Sequence, residues 1–66
     1  MINYYLLNDF NHKADVTWDN NGPKIHFRKH QWLSFKTYNE ADEFIKMLIK
    51  DHNIGLNLHP QGFEVN

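Results

Sequence analysis

Two alternating stretches on either side of Asn21-Gly22 constrain the fold more than any other feature of this chain. Small or large apolar side chains take every second position before the dipeptide and again after it: Ala14, Val16, Trp18, Ile25 and Phe27. Successive side chains of a strand point to opposite faces, so this period predicts two strands with one buried face. Asn and Gly tolerate the positive φ of a tight primed turn. The pattern therefore predicts a β-hairpin turning at Asn21-Gly22.

A turn centred on that dipeptide also predicts a register. The expected inner pairs are Trp18 with Ile25 and Val16 with Phe27. The expected outer pairs are Asp19 with Lys24, Thr17 with His26 and Asp15 with Arg28. Pro23 lacks the N–H that a two-residue turn would use, which leaves a wider loop as the alternative.

One helix is predicted at about 38-52. Thr37 and Glu40 have the spacing of a capping box, in which the Thr oxygen accepts the N–H three residues on. Asn53 is suited to a left-handed C-terminal cap, with Ile54 as its hydrophobic contact. The apolar stripe of this helix comprises Ala41, Phe44, Ile45 and Leu48, ends at His52 and is flanked by Met47 and Ile49. Such an arc predicts one packed face.

The remaining segments complete a small α+β domain over residues 1-66. Residues 2–7 predict a buried first strand, and residues 54–58 alternate before a predicted turn at 59–62, which favours a second hairpin. Whether residues 29–31 form a turn or continue one long strand stays open. The predicted fold is a mostly antiparallel sheet of three to five strands with one α-helix packed across one face, in the order β-β-β(-β)-α-β(-β).

Composition excludes several classes of protein. The 66 residues contain no cysteine, so no disulfide framework is available and the core depends on two Trp, three Tyr and five Phe. Seven basic against eight acidic residues argue against a chain that generally coats nucleic acid or membranes. The apolar start is too short for a signal peptide or a spanning helix, which favours a cytoplasmic protein without membrane contact. Nine asparagines and several Ile and Lys residues are typical of an A+T-rich genome, which favours a bacterial or phage source.

The candidate contact surface lies in and around residues 24–36, where no acidic residue occurs. Cations and rings share one predicted strand face there, a composition found at protein hot spots and on nucleic-acid platforms. The predicted binding residues are Lys13, Arg28, Lys29, His30, Trp32 and Lys36. The favoured interpretation is a small non-enzymatic protein-binding or regulatory module that binds a protein partner or self-associates. The alternative is a weak nucleic-acid-binding domain that uses the basic and aromatic face.

Catalytic and metal-binding patterns are missing from the sequence. There is no cysteine nucleophile, no glycine-rich phosphate loop and a single serine, Ser34. The five histidines lack metal-ligand spacing, and His26 and His30 would lie too far apart on a strand to share an ion. The sequence therefore predicts no enzyme, no catalytic residues, no metal, no cofactor and no small-molecule substrate.

Overall fold

The computed structural model describes residues 2–27 and 33–64, and for residues 63 and 64 it describes the backbone only. The elements are β1 (Ile2–Leu7), β2 (Ala14–Asp19), β3 (Gly22–Phe27), β4 (Ser34–Phe35), α1 (Tyr38–His52) and β5 (His59–Glu64). The predicted α+β class and element order are confirmed, and the described strands pair antiparallel. They form two sheets rather than one. The open question at residues 29–31 lies outside the described residues.

The larger sheet has β1 at its centre, between β4 and β5. The predicted turn at 59–62 is wrong, because those residues belong to β5 and pair with β1. Pro60 lies opposite Leu6 on a strand at the edge of the sheet, where a missing N–H is tolerated. Gly62 lies opposite Tyr4, and a Cβ at Gly62 would come within 3.0 Å of Cε1 of that ring. Both residues thus belong to an edge strand rather than to a turn.

The smaller sheet is the predicted hairpin, β2 with β3, with its register shifted by two residues. Asp19 pairs with Gly22, and Val16 pairs with Ile25 rather than with Phe27. The loop therefore consists of Asn20 and Asn21. Neither of them has a positive φ, whereas Gly22, which follows, has φ 104°. A shift of two keeps each side chain on its predicted face, because the side-chain period of a strand is two.

The helix α1 matches its predicted bounds, Tyr38–His52. The hydroxyl of Thr37 accepts the N–H of Glu40 at 3.2 Å, and Oε2 of Glu40 accepts the N–H of Lys36 at 3.2 Å. At the other end Asn53 takes the predicted left-handed conformation, with φ 55°. Ile54 packs against the core directly after it. Local signals therefore determine both ends of this helix.

The core lies between α1 and the inner faces of the two sheets. Leu6 and Leu48 are fully buried and are the largest such side chains among the described residues. The buried cluster consists of Leu6, Ala14, Val16, Ala41, Ile45, Leu48 and Leu58. Residues 54–58, whose alternation predicted a strand, form no strand and carry the chain from α1 to β5. No helix in the described part of the chain is long and apolar enough to cross a membrane.

Candidate functional site

The sequence-predicted surface is only partly covered by the structure. Arg28, Lys29, His30 and Trp32 lie outside the described residues. Lys13 precedes β2, and its ammonium lies 4.7 Å from the centre of the Tyr5 ring. The other described member, Lys36, is an exposed residue just before the cap of α1. The surface as a set therefore stays a prediction.

The apolar flank of α1 packs inward rather than outward. Met47 and Ile49, which flank the apolar stripe of the helix, are half-buried and packed against the core. Met47 also borders a shallow hollow beside Phe44 and Phe35, whose ring centres are 5.5 Å apart. Glu40 and Glu43 lie at the rim of this hollow. The widened apolar arc is thus accounted for by packing within the chain.

A second apolar concavity lies beside β3 and is the better candidate site. It has a volume of about 520 Å³ and is formed between β3 and the segment that follows α1. We call it the edge groove and define it by its apolar lining: Pro23, Ile25, Phe27, Ile54, Leu56 and Leu58. Leu58 forms its buried floor, whereas Leu56 is 68% exposed and Phe27 is 46% exposed. Large apolar side chains are therefore presented to solvent on both sides of one groove.

The backbone of β3 turns alternate peptide groups toward this groove. The N–H of Leu33 donates to the carbonyl of Ala14 at 3.4 Å, so that carbonyl points away from β3. Ala14 is paired with Phe27, and residues opposed in this way without mutual hydrogen bonds both point their peptide groups outward. By alternation Ile25 and Pro23 do the same. The amides of Ile25 and Phe27 therefore lie on the outer edge of β3.

Pro23 supports this assignment independently. Proline has no N–H to give to a neighbouring strand, so in a sheet it occupies positions whose nitrogen faces away from the partner strand. Pro23 lies opposite Trp18 within the hairpin, in phase with Ile25 and Phe27. Among the described residues, no strand and no backbone hydrogen bond occupies this edge. The described part of the molecule thus has an open strand edge running along an apolar groove.

The polar face of β3 carries basic side chains. The Lys24 ammonium lies 2.9 Å from Asp19 and holds the pKa of that carboxyl below its usual value, and the N–H of Asn21 acts in the same direction. His26 shares a 3.0 Å hydrogen bond with the hydroxyl of Thr17. Asp15, predicted on this outer face, is only 7% exposed. Lys24 remains more than half exposed, and its charge is balanced by the Asp19 carboxylate beside it.

The described histidines form no metal centre. Within residues 2–27 and 33–64, no group of three or more His, Asp or Glu side chains is placed to hold an ion. His52 packs edge-on against Trp18, with ring centres 5.7 Å apart. His59 contacts Asp9 at 2.7 Å in an exposed pair.

Sequence reasoning missed the edge groove for identifiable reasons. Phe27 was predicted to lie in the core, but it lies at the end of an edge strand and is half exposed. Leu56 was placed on a strand, although it lies between Gly55 and Asn57, a context typical of a loop. A large apolar residue in a loop has no sheet face to cover, and that signal would have marked Leu56 as a surface feature.

Comparison with known proteins adds no further assignment. No family model, no curated protein and no solved structure matches this chain.

Proposed function

We propose that this chain is a small non-enzymatic protein-binding module and that a partner protein docks in the edge groove. The observation that carries the proposal is the coincidence of an apolar concavity with an open strand edge. Leu56 and Phe27 expose large apolar surface on the two sides of the groove. Covering such surface is favourable at roughly 25 cal/mol per Å² of apolar area removed from water.

The hollow beside α1 is a weaker candidate for docking. Its aromatic side chains, Phe35 and Phe44, are half-buried, and the edge strand next to it, β4, has only two residues, against six in β3. Its backbone edge therefore offers less to a partner than that of β3. Interfaces depend on a few side chains that become fully buried, and the exposed Leu56 has more area to lose than either ring of the hollow.

Site-specific photo-crosslinking tests the proposal in cells that naturally express the chain. A photoreactive residue at Leu56 is expected to form a discrete protein adduct that is competed away by excess unmodified chain. The same residue at Phe10, which is 80% exposed in the loop before β2, is the matched control and is expected to give none. Competition with the Leu56→Asp chain is expected to fail, while its thermal unfolding stays unchanged because residue 56 is mostly exposed.

The crosslinking result can also overturn the proposal. Equal adducts from both positions, or no competed adduct from Leu56, would exclude the edge groove as the docking site. An oligonucleotide that shifts the amides of Lys24 and His26 at low salt, with no protein adduct, would support the nucleic-acid alternative instead.

A further inference from the structure

The hairpin turn holds a chemically labile pair of residues that the edge groove does not use. Asn21 is exposed at the second position of the loop, and Gly22 follows it. Of the nine asparagines in the chain, Asn21 is the only one that precedes glycine. Asparagine is a thermolabile residue, since its side-chain amide can be attacked by the backbone nitrogen that follows it. A following glycine has no Cβ to obstruct that approach.

We infer that Asn21 is a site of spontaneous deamidation in the folded protein. The backbone nitrogen of Gly22 attacks Cγ of the Asn21 side chain and loses its proton, while the bond from Cγ to the amide nitrogen breaks and ammonia leaves. The product is a five-membered succinimide ring. Water then adds to either carbonyl of the ring and breaks one C–N bond, which gives aspartate or isoaspartate at position 21. Water is the sole co-reactant, and no atom is oxidised or reduced.

The reacting side chain is free to reach its attacker. The backbone N–H of Asn21 donates to Oδ1 of Asp19 at 2.7 Å, which holds the main chain of the loop. The side-chain amide of Asn21, in contrast, makes no hydrogen bond with the residues that the structure describes. Its Cγ can therefore rotate toward the nitrogen of Gly22 without breaking a bond to the rest of the described protein.

The nitrogen of Gly22 becomes available when the end of the hairpin opens. Asp19 and Gly22 are the closing pair of the loop, and by the alternation of this hairpin the N–H of Gly22 points toward β2. The last three residues of β2 are exposed, and none of the residues of β3 is buried. A strand end with so little buried surface opens at a small cost in free energy. The turn therefore slows the reaction relative to an unfolded chain and does not prevent it.

Both products alter the turn. A carboxylate at position 21 adds a negative charge beside Asp19 and competes with it for Lys24, which now lies 2.9 Å from Asp19. In isoaspartate the main chain runs through the side chain, which adds a methylene group to the loop. Because hairpin register depends on loop length, isoaspartate is expected to separate Gly22 from Asp19 at the start of β3.

Peptide mapping by mass spectrometry tests the inference on the intact chain, incubated in mildly alkaline buffer at physiological temperature. Asn21 is expected to lose its amide roughly tenfold faster than Asn20, which is also exposed in the same loop but precedes asparagine. Isoaspartate is distinguished from aspartate by its fragmentation. Asn21→Gln is the matched control and is expected to stay unmodified, because the longer side chain closes the corresponding ring far more slowly.

Amide resonances measure what the modification does to the hairpin. The isoaspartate form, separated by chromatography, is expected to shift the amides of Gly22 and Lys24 and to leave that of Leu48 in α1 unchanged. Freshly prepared Asn21→Asp carries the new charge without the lengthened main chain. It is expected to shift Lys24 while the pairing of Asp19 with Gly22 is kept.

Three results would count against the inference. Modification of Asn21 only when the chain is unfolded in urea would show that the folded turn protects it, and the site would be lost. Equal rates at Asn20 and Asn21 would exclude attack by the nitrogen of Gly22. Unchanged hairpin amides in the isoaspartate form would overturn the expected change of pairing. The reaction does not involve Leu56 or the groove it lines, so each of these results is independent of the proposed docking.

Discussion

The strands β1 and β3 have equal length but differ in how they are paired and buried. In the described structure β1 has a paired strand on each side, whereas β3 is paired on one side only. The last three residues of β1 are buried, while none of the residues of β3 is. A central strand gains stability from burial and from complete pairing, and an edge strand keeps part of both available for a partner. The buried β1 therefore contributes more to the stability of the fold, whereas the outer edge of β3 stays accessible.

Truncation of the central strand is expected to have the largest effect. Leu6 is fully buried in β1, so Leu6→Ala should lower the free energy of unfolding by about 2–5 kcal/mol through lost burial and a residual cavity. Ile25→Ala in β3 removes a half-buried side chain and should cost less than half as much. Urea unfolding followed by tryptophan fluorescence measures both. Equal losses would show that the two sheets contribute equally to the core.

Amide exchange should reveal the one-sided pairing of β3. The N–H groups of Lys24 and His26 point toward β2, whereas those of Ile25 and Phe27 point outward. We expect the outward pair to exchange about a hundredfold faster than the inward pair, because exposed amides need no unfolding step. No such alternation is expected in the buried half of β1. Equal protection of all four β3 amides would contradict the open edge.

The hairpin of the smaller sheet depends on the backbone conformation of Gly22. Gly22 has φ 104°, so Gly22→Ala should cost about 1–3 kcal/mol through backbone strain. A D-alanine at the same position, introduced by chemical synthesis, should restore most of the loss because it favours positive φ. Thermal unfolding measures both chains. If D-alanine is as damaging as L-alanine, the positive φ is not what limits the position, and the His52 ring is not the obstacle to L-alanine either, since an L-Cβ would lie an ordinary 3.6 Å from it.

Prediction from sequence worked best where the signals are local. The helix ends follow from Thr37 and Asn53. The hydroxyl of Thr37 accepts the N–H of Glu40, three residues on, and the backbone N–H of Asn53 donates to the carbonyl of Ile49, four residues back. The hairpin faces follow from period-two alternation. Its register does not, because it depends on which single residue takes the positive φ, and here that residue is Gly22 alone.

The errors concern residues whose roles depend on distant parts of the chain. Gly62 was interpreted as a turn residue, but it leaves room for the ring of Tyr4, more than fifty positions earlier. The edge groove is a similar case, since Phe27 and Leu56 line the same groove although almost thirty positions separate them in the sequence. For the sequence-predicted surface around Trp32, the experimental test is Trp32→Ala combined with a charge reversal at Lys29.

The smallest expected effect concerns the ion pair at the hairpin turn. Lys24 lowers the folded-state pKa of Asp19 below its usual value of 3.8, so the pair contributes stability above that value. This contribution is lost as the pH falls through the lower, folded-state pKa. The stability difference between the unmodified chain and Asp19→Asn, measured by urea unfolding, should therefore shrink as the pH falls below about 4. Asn retains an oxygen for the N–H of Asn21, so the variant isolates the charge. The pH dependence of the ion pair on α1 has the opposite sign. Asp42 raises the pKa of Lys46 above its usual value of 10.5, so the stabilisation from that pair is lost as the pH rises through the raised pKa. A difference for Asp19→Asn that grows in acid would mean that Lys24 does not stabilise the turn through Asp19.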